Sequence, residues 1–311
     1  MAQAKVIGVS AQAPLVAATQ VVKDLWSLTK PGVLVLLLIS TICPMVLAAG
    51  GLPDWKLVIA TFIGGWLVSG SASAINCVWE KDTDKLMLRT KNRPIPAGRI
   101  SPTLGVVFAL TIGFIGLLLL AAVVNPLAAT ISLLGHLFYV FVYTMWLKPT
   151  TAQNIVIGGA AGAVPPMVGW AAVTGTVDLT SILLFLLVFL WTPPHFWALA
   201  LNKNEDYRRA GIPMLPVVAG ERVTHTQMLC YAVSLLPVST LLVFSNPRLG
   251  WFSLLILSAL GAVFVFKTYQ LRQLGGASKE IREKKAWDVF GFSLIYLALF
   301  FICLVLDATV V

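Results

Sequence analysis

Charged side chains are scarce. Asp, Glu, Lys and Arg make up 11% of the 311 residues, against about a quarter in an ordinary soluble domain. So few charges cannot cover the surface of a water-soluble fold this large. The four cysteines (Cys43, Cys77, Cys230 and Cys303) include no Cys-x-x-Cys pair, so neither a zinc site nor a disulfide framework is implied, and they read as small packing residues. Short alternating segments of the kind that build a membrane barrel are absent. So is a low-complexity linker, and no segment reads as a separate soluble domain. Residues 1–13 carry one charge, Lys5, and lack the order of a secretory signal and the arginines of a transit peptide.

What is present is apolar sequence in blocks. Hydrophobic residues are 58% of the chain, and the mean hydropathy is +0.89. Nine segments have about the length a helix needs to cross a bilayer: 32–50, 56–79, 104–123, 127–147, 153–173, 179–201, 227–245, 249–266 and 289–308. Pro31, Pro53, Pro102, Pro126 and Pro247 mark segment ends, where a first helical turn tolerates proline. Pro193-Pro194 lies inside the sixth block, where a break or kink is expected. The expected fold is therefore an all-α polytopic membrane protein with nine transmembrane helices.

The formal charge of +9 does not indicate nucleic acid, because the basic residues sit in short loops between apolar blocks. With the N-terminus placed in the cytoplasm, 20 of the 22 Lys and Arg residues fall on the inner side, leaving only Lys56 and Arg248 outside. That asymmetry predicts a cytoplasmic N-terminus and an outer C-terminus. Residues 14–30 read as a short interfacial helix with Leu15, Val22, Leu25, Trp26 and Leu28 on its apolar side. The domain reading is an arm over 1–30 and one membrane domain over 31–311.

Chemistry concentrates at inner helix ends. The second span closes on Asn76-Cys77-Val78-Trp79-Glu80-Lys81-Asp82-Thr83-Asp84. In a continuing helix Asn76, Glu80 and Asp84 stack on one face at i, i+4 and i+8, and Asp82 points elsewhere. Clustered oxygen ligands suit Mg²⁺, and Lys85, Arg89 and Arg93 follow directly, so metal plus diphosphate is one reading. A solvated loop that sets orientation is the other. After the sixth span Asn202 and Asp206 repeat the Asn-to-acid spacing, and the topology sends both loops to the same side. Lys148, closing the fourth span there, reads as a snorkelling anchor or a phosphate ligand. His195, beside the proline pair, and His136, in the fourth span, each fit either a packing role or a functional one. Gly158-Gly159-Ala160-Ala161-Gly162-Ala163 lies inside a span with no strand before it, so it permits close helix packing and is not a nucleotide loop.

These residues resemble a known family. Asn76 to Asp84, followed by Arg89-Thr90-Lys91-Asn92-Arg93-Pro94-Ile95-Pro96-Ala97-Gly98-Arg99, is similar to the aspartate-rich signature of the UbiA-type prenyltransferase superfamily. Leu28-Thr29-Lys30-Pro31, Gln153 to Ala160, and Pro194-His195-Phe196-Trp197 through Asp206-Tyr207 to Pro216 resemble its haem-farnesylating branch. The matches run from about residue 28 to 218. The resemblance implies nine helices around a central cavity in a bacterial plasma membrane, with the active-site loops cytoplasmic. It implies Mg²⁺ as cofactor, and farnesyl diphosphate and protohaem IX as substrates. The bilayer and a downstream haem A synthase are the partners it suggests, with no nucleic acid.

By position, Asn76, Glu80, Asp84 and Asp206 match the catalytic metal sites of that family. Asp82 and Asn202 are further ligand candidates, because Glu80 and Asn202 stand where aspartate or another carboxylate is usual. Lys148, Arg89, Arg93 and Lys85 match diphosphate-binding positions, and His195 and His136 are candidate haem contacts. Trp79, Tyr143, Trp191 and Trp197 are candidates to shield an allylic cation. Two other functions compete: prenyl transfer to a different acceptor such as a quinone precursor, and secondary transport. Transport predicts polar groups deep in several spans, whereas these charges gather at helix ends.

Overall fold

The computed structural model describes the backbone of residues 12–310 and the side chains of residues 18–310. Lys5, the Leu15 side chain and residue 311 lie outside the described residues. Among those described, the secondary structure is helical, and nine helices are long and apolar enough to span a membrane. The chain is a multi-pass membrane protein.

A first helix, α1 (Gln12–Leu28), precedes the spans. The spans are α2 (Pro31–Ala49), α3 (Trp55–Trp79), α5 (Pro102–Val124), α6 (Pro126–Thr150), α7 (Asn154–Thr174), α8 (Leu179–Asn202), α10 (Gly220–Ser245), α11 (Trp251–Gly276) and α12 (Lys279–Val310). Short helices α4 (Lys81–Leu86) and α9 (Asn204–Arg209) extend α3 and α8 beyond their spans. Helix starts are fixed locally. Asp54, Ser101, Asn125 and Asp178 accept from backbone N–H groups of the first turns of α3, α5, α6 and α8, as N-cap residues do. Pro31, Pro102 and Pro126 occupy first-turn positions.

The spans pack in sequence, and α12 returns to α2 to close the bundle, with α7 and α8 packed between. The α2–α7 crossing needs glycine: a Cβ on Gly169 would run into the Thr41 carbonyl oxygen. α1 is tied to the bundle by Asp24, whose carboxylate accepts two bonds from Arg99 at 3.0 and 3.1 Å. Trp26 stacks on Trp66 at 5.2 Å. Val21, Val22 and Trp26 remain exposed, leaving an apolar side available to lipid.

Two features depart from the expected fold. The last three spans are longer than their apolar blocks, because their helices run on into polar residues such as Glu221 and Arg222, Arg272, and Lys279 to Lys285. Helix α8 also runs through Pro193-Pro194 as one unbroken helix. Proline removes donors in that turn, while Thr192 donates to the Val188 carbonyl at 2.8 Å. Hydroxyl back-bonding of this kind helps a membrane helix carry proline.

Candidate active site

A cavity of about 370 Å³ opens among the spans, within the usual range for small-molecule sites. Its wall is mostly apolar, and its charged groups converge from helix ends: Lys30 before α2, Glu80 and Asp84 after α3, Arg89 and Arg93 in the following loop, and Lys148 near the end of α6. Backbone bonds from Glu80 N to the Asn76 carbonyl (2.9 Å) and from Asp84 N to the Glu80 carbonyl (2.7 Å) carry helical register through the α3–α4 junction. Asn76, Glu80 and Asp84 all line the cavity.

Each of these oxygen-bearing groups already has a cation. Lys30 Nζ donates to Asn76 Oδ1 at 2.6 Å, Lys148 Nζ to Glu80 Oε1 at 2.5 Å, and Arg93 Nη1 to Asp84 Oδ2 at 2.7 Å. Asn76 Nδ2 donates to Thr144 Oγ1 at 3.2 Å, which fixes the amide orientation. Burial alone would push the Glu80 carboxyl up; Lys148 and then Lys30 outweigh it and hold it below the ordinary carboxylate range. Burial pushes the Lys30 ammonium down, so its charge is held at a cost.

Lys30 carries a backbone signal as well. It is the one non-glycine residue with positive φ among those described, at φ 54°, ψ 58°. The following Pro31 disfavours the right-handed helical region there, and strained backbone of this kind is concentrated at functional sites. In the sequence Lys30 falls in the Leu28-Thr29-Lys30-Pro31 stretch with no site role assigned to it; its position before a proline is the available clue.

The second loop arrives at the same mouth. Leu88 N donates to Asp206 Oδ1 at 3.4 Å, and Arg209 pairs with that oxygen at 3.3 Å. Asp206 is thus joined to the loop after α4, while its neighbours Tyr207 and Met214 line the cavity. Asp82, Lys85 and Asn202 are not brought to the cavity wall. Asp82 is 74% exposed and pairs with Lys85, itself 55% exposed; two positions from both Glu80 and Asp84, it leaves the helix on another side. Asn202 donates back to the Ala198 carbonyl at 3.0 Å. Of the aromatics, Tyr143 and Trp191 line the cavity, and Trp79 and Trp197 do not. Tyr143 rests where a Cβ on Gly158 would collide with its ring, with Lys148 Nζ 6.0 Å from the ring centroid.

Helix α6 contributes a feature with no sequence signal. Residues Phe138–Leu147 are π-helical, a form enriched at functional sites. This stretch presents Tyr139 and Tyr143 to the cavity just before Lys148. His136 and His195 line the cavity too.

The donor set suits a hard cation. Asn76, Glu80, Asp84 and the nearby Asp206 offer only oxygen, as Mg²⁺ prefers. Among the described residues no group of three or more His, Cys, Asp or Glu forms a metal cluster.

Comparisons with known proteins agree with the architecture. The model of the UbiA prenyltransferase family matches residues 36–295. Relatives named protoheme IX farnesyltransferase include that of Roseiflexus castenholzii, 47% identical over 288 residues covering 93% of this chain and 52% of that protein. That of Synechocystis sp. is 46% identical over 288 residues, covering 93% and 90%. That of Symbiobacterium thermophilum is 47% identical over 292 residues, covering 93% and 95%. The chain spans about half the length of the Roseiflexus relative and nearly all of the other two. A solved digeranylgeranylglyceryl phosphate synthase superposes with TM-score 0.74 at 19% identity, covering 92% of this chain and 98% of that one. A UbiA homologue from Archaeoglobus fulgidus, solved with GPP and Mg²⁺, superposes with TM-score 0.64 at 14% identity, covering 90% and 99%. At these identities the structural likeness speaks to the fold.

Proposed function

The chain belongs to the UbiA prenyltransferase family, and from that premise we propose that it transfers the farnesyl group of farnesyl diphosphate to a vinyl group of protohaem IX, giving haem O and diphosphate. The observation that carries this reading is the layer of Lys30–Asn76, Lys148–Glu80 and Arg93–Asp84 contacts at one end of an apolar cavity. The reading of the acceptor rests on the relatives' names.

Asn76, Glu80 and Asp84, with Asp206 beside them, would hold Mg²⁺. A bound Mg²⁺ supplies charge neutralisation for the departing diphosphate. Lys148, Arg93, Arg89 and Lys30 orient the diphosphate by charge-assisted hydrogen bonds. Their positive charge favours the transition state, in which the C1–oxygen bond breaks and negative charge gathers on the leaving group. The apolar cavity holds the farnesyl chain and keeps water from its C1. Tyr139, Tyr143 and Trp191 offer ring faces to the developing allylic cation. The terminal vinyl carbon bonds to C1, water takes the positive charge on the inner vinyl carbon, and loss of a proton leaves the hydroxyl. His195 and His136 are the candidates to contact the haem. Asp82 and Lys85 pair with each other at the surface and Asn202 donates back to the Ala198 carbonyl, away from the cavity wall, so the reading assigns them no contact with substrate.

The proposal places the active-site loops on the cytoplasmic face of a bacterial plasma membrane, with the N-terminus inside, the C-terminus outside and residues 1–30 as an interfacial arm. The candidate partner is a haem A synthase that consumes the product, which co-purification tests. The function is tested by incubating purified protein with farnesyl diphosphate, Mg²⁺ and protohaem and identifying haem O by mass. Asp84→Ala should lower the rate at least about 100-fold. A quinone precursor prenylated in preference to haem would overturn the acceptor assignment.

A further inference from the structure

One polar unit on the cavity wall has its protons assigned by its neighbours. Ser293 Oγ lies 2.6 Å from the Phe290 carbonyl oxygen and donates its single proton there. His195 Nδ1 lies 2.7 Å from the same Oγ. Ser293 can therefore only accept from it, so Nδ1 carries the N–H and the neutral ring has its lone pair on Nε2. Trp191 Nε1 donates to the Ser293 carbonyl at 2.8 Å. Trp191 and Phe290 both stack on the imidazole, with centroids at 4.3 and 4.8 Å and planes tilted by 18° and 24°. Rings so close cannot share one face, so both faces are covered. What remains open is the ring edge bearing Nε2. His195 lines the cavity, the Phe196 ring meets it edge-on at 5.3 Å between centroids, and among the described residues Nε2 has no hydrogen-bond partner. An imidazole whose N–H is held by an acceptor and whose other nitrogen is free is how proteins present histidine to a metal.

His136 also donates through Nδ1, to the Val68 carbonyl at 3.2 Å. One difference separates the histidines: among the described residues no aromatic ring stacks on His136, so its plane is not held as that of His195 is by Trp191 and Phe290.

We propose that His195 Nε2 is an axial ligand to the iron of the haem acceptor, and that Ser293 is the positioning residue that fixes its tautomer and ring plane. This rests on the haem-acceptor reading above. Ligation makes and breaks no bond of the transfer; it fixes the position of the iron and the plane of the porphyrin in the cavity.

The test is protohaem binding to the purified full-length protein without prenyl diphosphate, followed by absorption and by resonance Raman of the ferrous state. Wild type should show a histidine-ligated Soret band and an iron–histidine stretch. His195→Gln should lose that stretch, and added imidazole should restore it. Ser293→Ala should keep the stretch at lower frequency and weaken haem binding about tenfold or more, while Ser293→Thr, which keeps the hydroxyl, should stay near wild type. A stretch that survives His195→Gln, or disappears in His136→Gln instead, overturns the assignment, as does a frequency unmoved by Ser293→Ala. If wild type forms haem O while its haem spectrum ignores His195, only this inference falls. If wild type binds no protohaem, the acceptor reading falls with it.

Discussion

In Lys148→Met the Glu80 carboxylate keeps its place and loses the ammonium group 2.5 Å away. The two side chains are only 19% and 9% exposed. Removing one member of a buried pair costs about 3–5 kcal/mol, because the remaining charge is left unpaired. Lys30 still acts on Glu80, which puts the expected loss at the lower end, about 3 kcal/mol. At roughly 2 °C per kcal/mol for a chain of this size, the midpoint of thermal unfolding in detergent should fall by about 6 °C. The double variant Lys148→Met/Glu80→Gln removes the stranded charge and should recover most of that loss, a coupling of about 2 kcal/mol. Activity should respond separately. Lys148 is a proposed donor to the diphosphate, and a hydrogen bond to a charged group is worth about 1.5–3 kcal/mol. The KM for farnesyl diphosphate should therefore rise about 10- to 150-fold, and the double variant should not recover it. Scanning fluorimetry and a labelled-prenyl transfer assay read the two effects. A single variant within 1 °C of wild type (about the error of the scan), or a double variant that falls by the sum of its singles, would refute the reasoning.

Other perturbations reach other links. Gly169→Ala should cost about 1–3 kcal/mol by overpacking the α2–α7 crossing, visible as a lower unfolding midpoint; an unchanged midpoint would mean that the helices part easily. Chelating divalent metal should abolish transfer and leave the helical circular dichroism intact, with recovery on adding Mg²⁺. The Asp24–Arg99 contact predicts a pH signature. The Arg99 hydrogen bonds hold the Asp24 carboxyl below its ordinary value, so its stabilisation is present above the unfolded-state value of about 3.9 and is lost as pH falls through the lower folded value. The midpoint gap between wild type and Asp24→Asn should be full near neutrality and close in acid; a gap that does not narrow would show that the carboxylate charge is not what Arg99 holds.

The parts of the structure legible in sequence are those with local causes. Span positions follow from apolar blocks, and helix starts from Pro31, Pro102 and Pro126. The i, i+4, i+8 spacing of Asn76, Glu80 and Asp84 needed only a continuing helix, which the α3–α4 backbone bonds provide. Hydropathy measures how much chain sits in lipid, not how far a helix runs, so α12 begins ten residues before its expected block. Nothing local distinguishes a π-helical 138–147 from an α-helical one, and the contact of Tyr143 with Gly158 lies on another span. Lys30 was hidden for a similar reason: its partner Asn76 is 46 residues away. The Ser293 contact with His195 spans 98 residues and lies beyond the stretch where family motifs could point to it.

The pairing of every anchor with an internal cation has a thermodynamic corollary. On the proposed reading, a divalent ion arriving alone meets oxygens already neutralised by lysine or arginine. A prenyl diphosphate arriving alone meets Lys30, Lys148 and Arg93 already engaged by those oxygens. Either ligand by itself must break contacts that the other would make redundant. Each should therefore tighten the other's affinity by the same factor, so the pocket would discriminate against free pyrophosphate-like anions and stray metal, and fill when both are present.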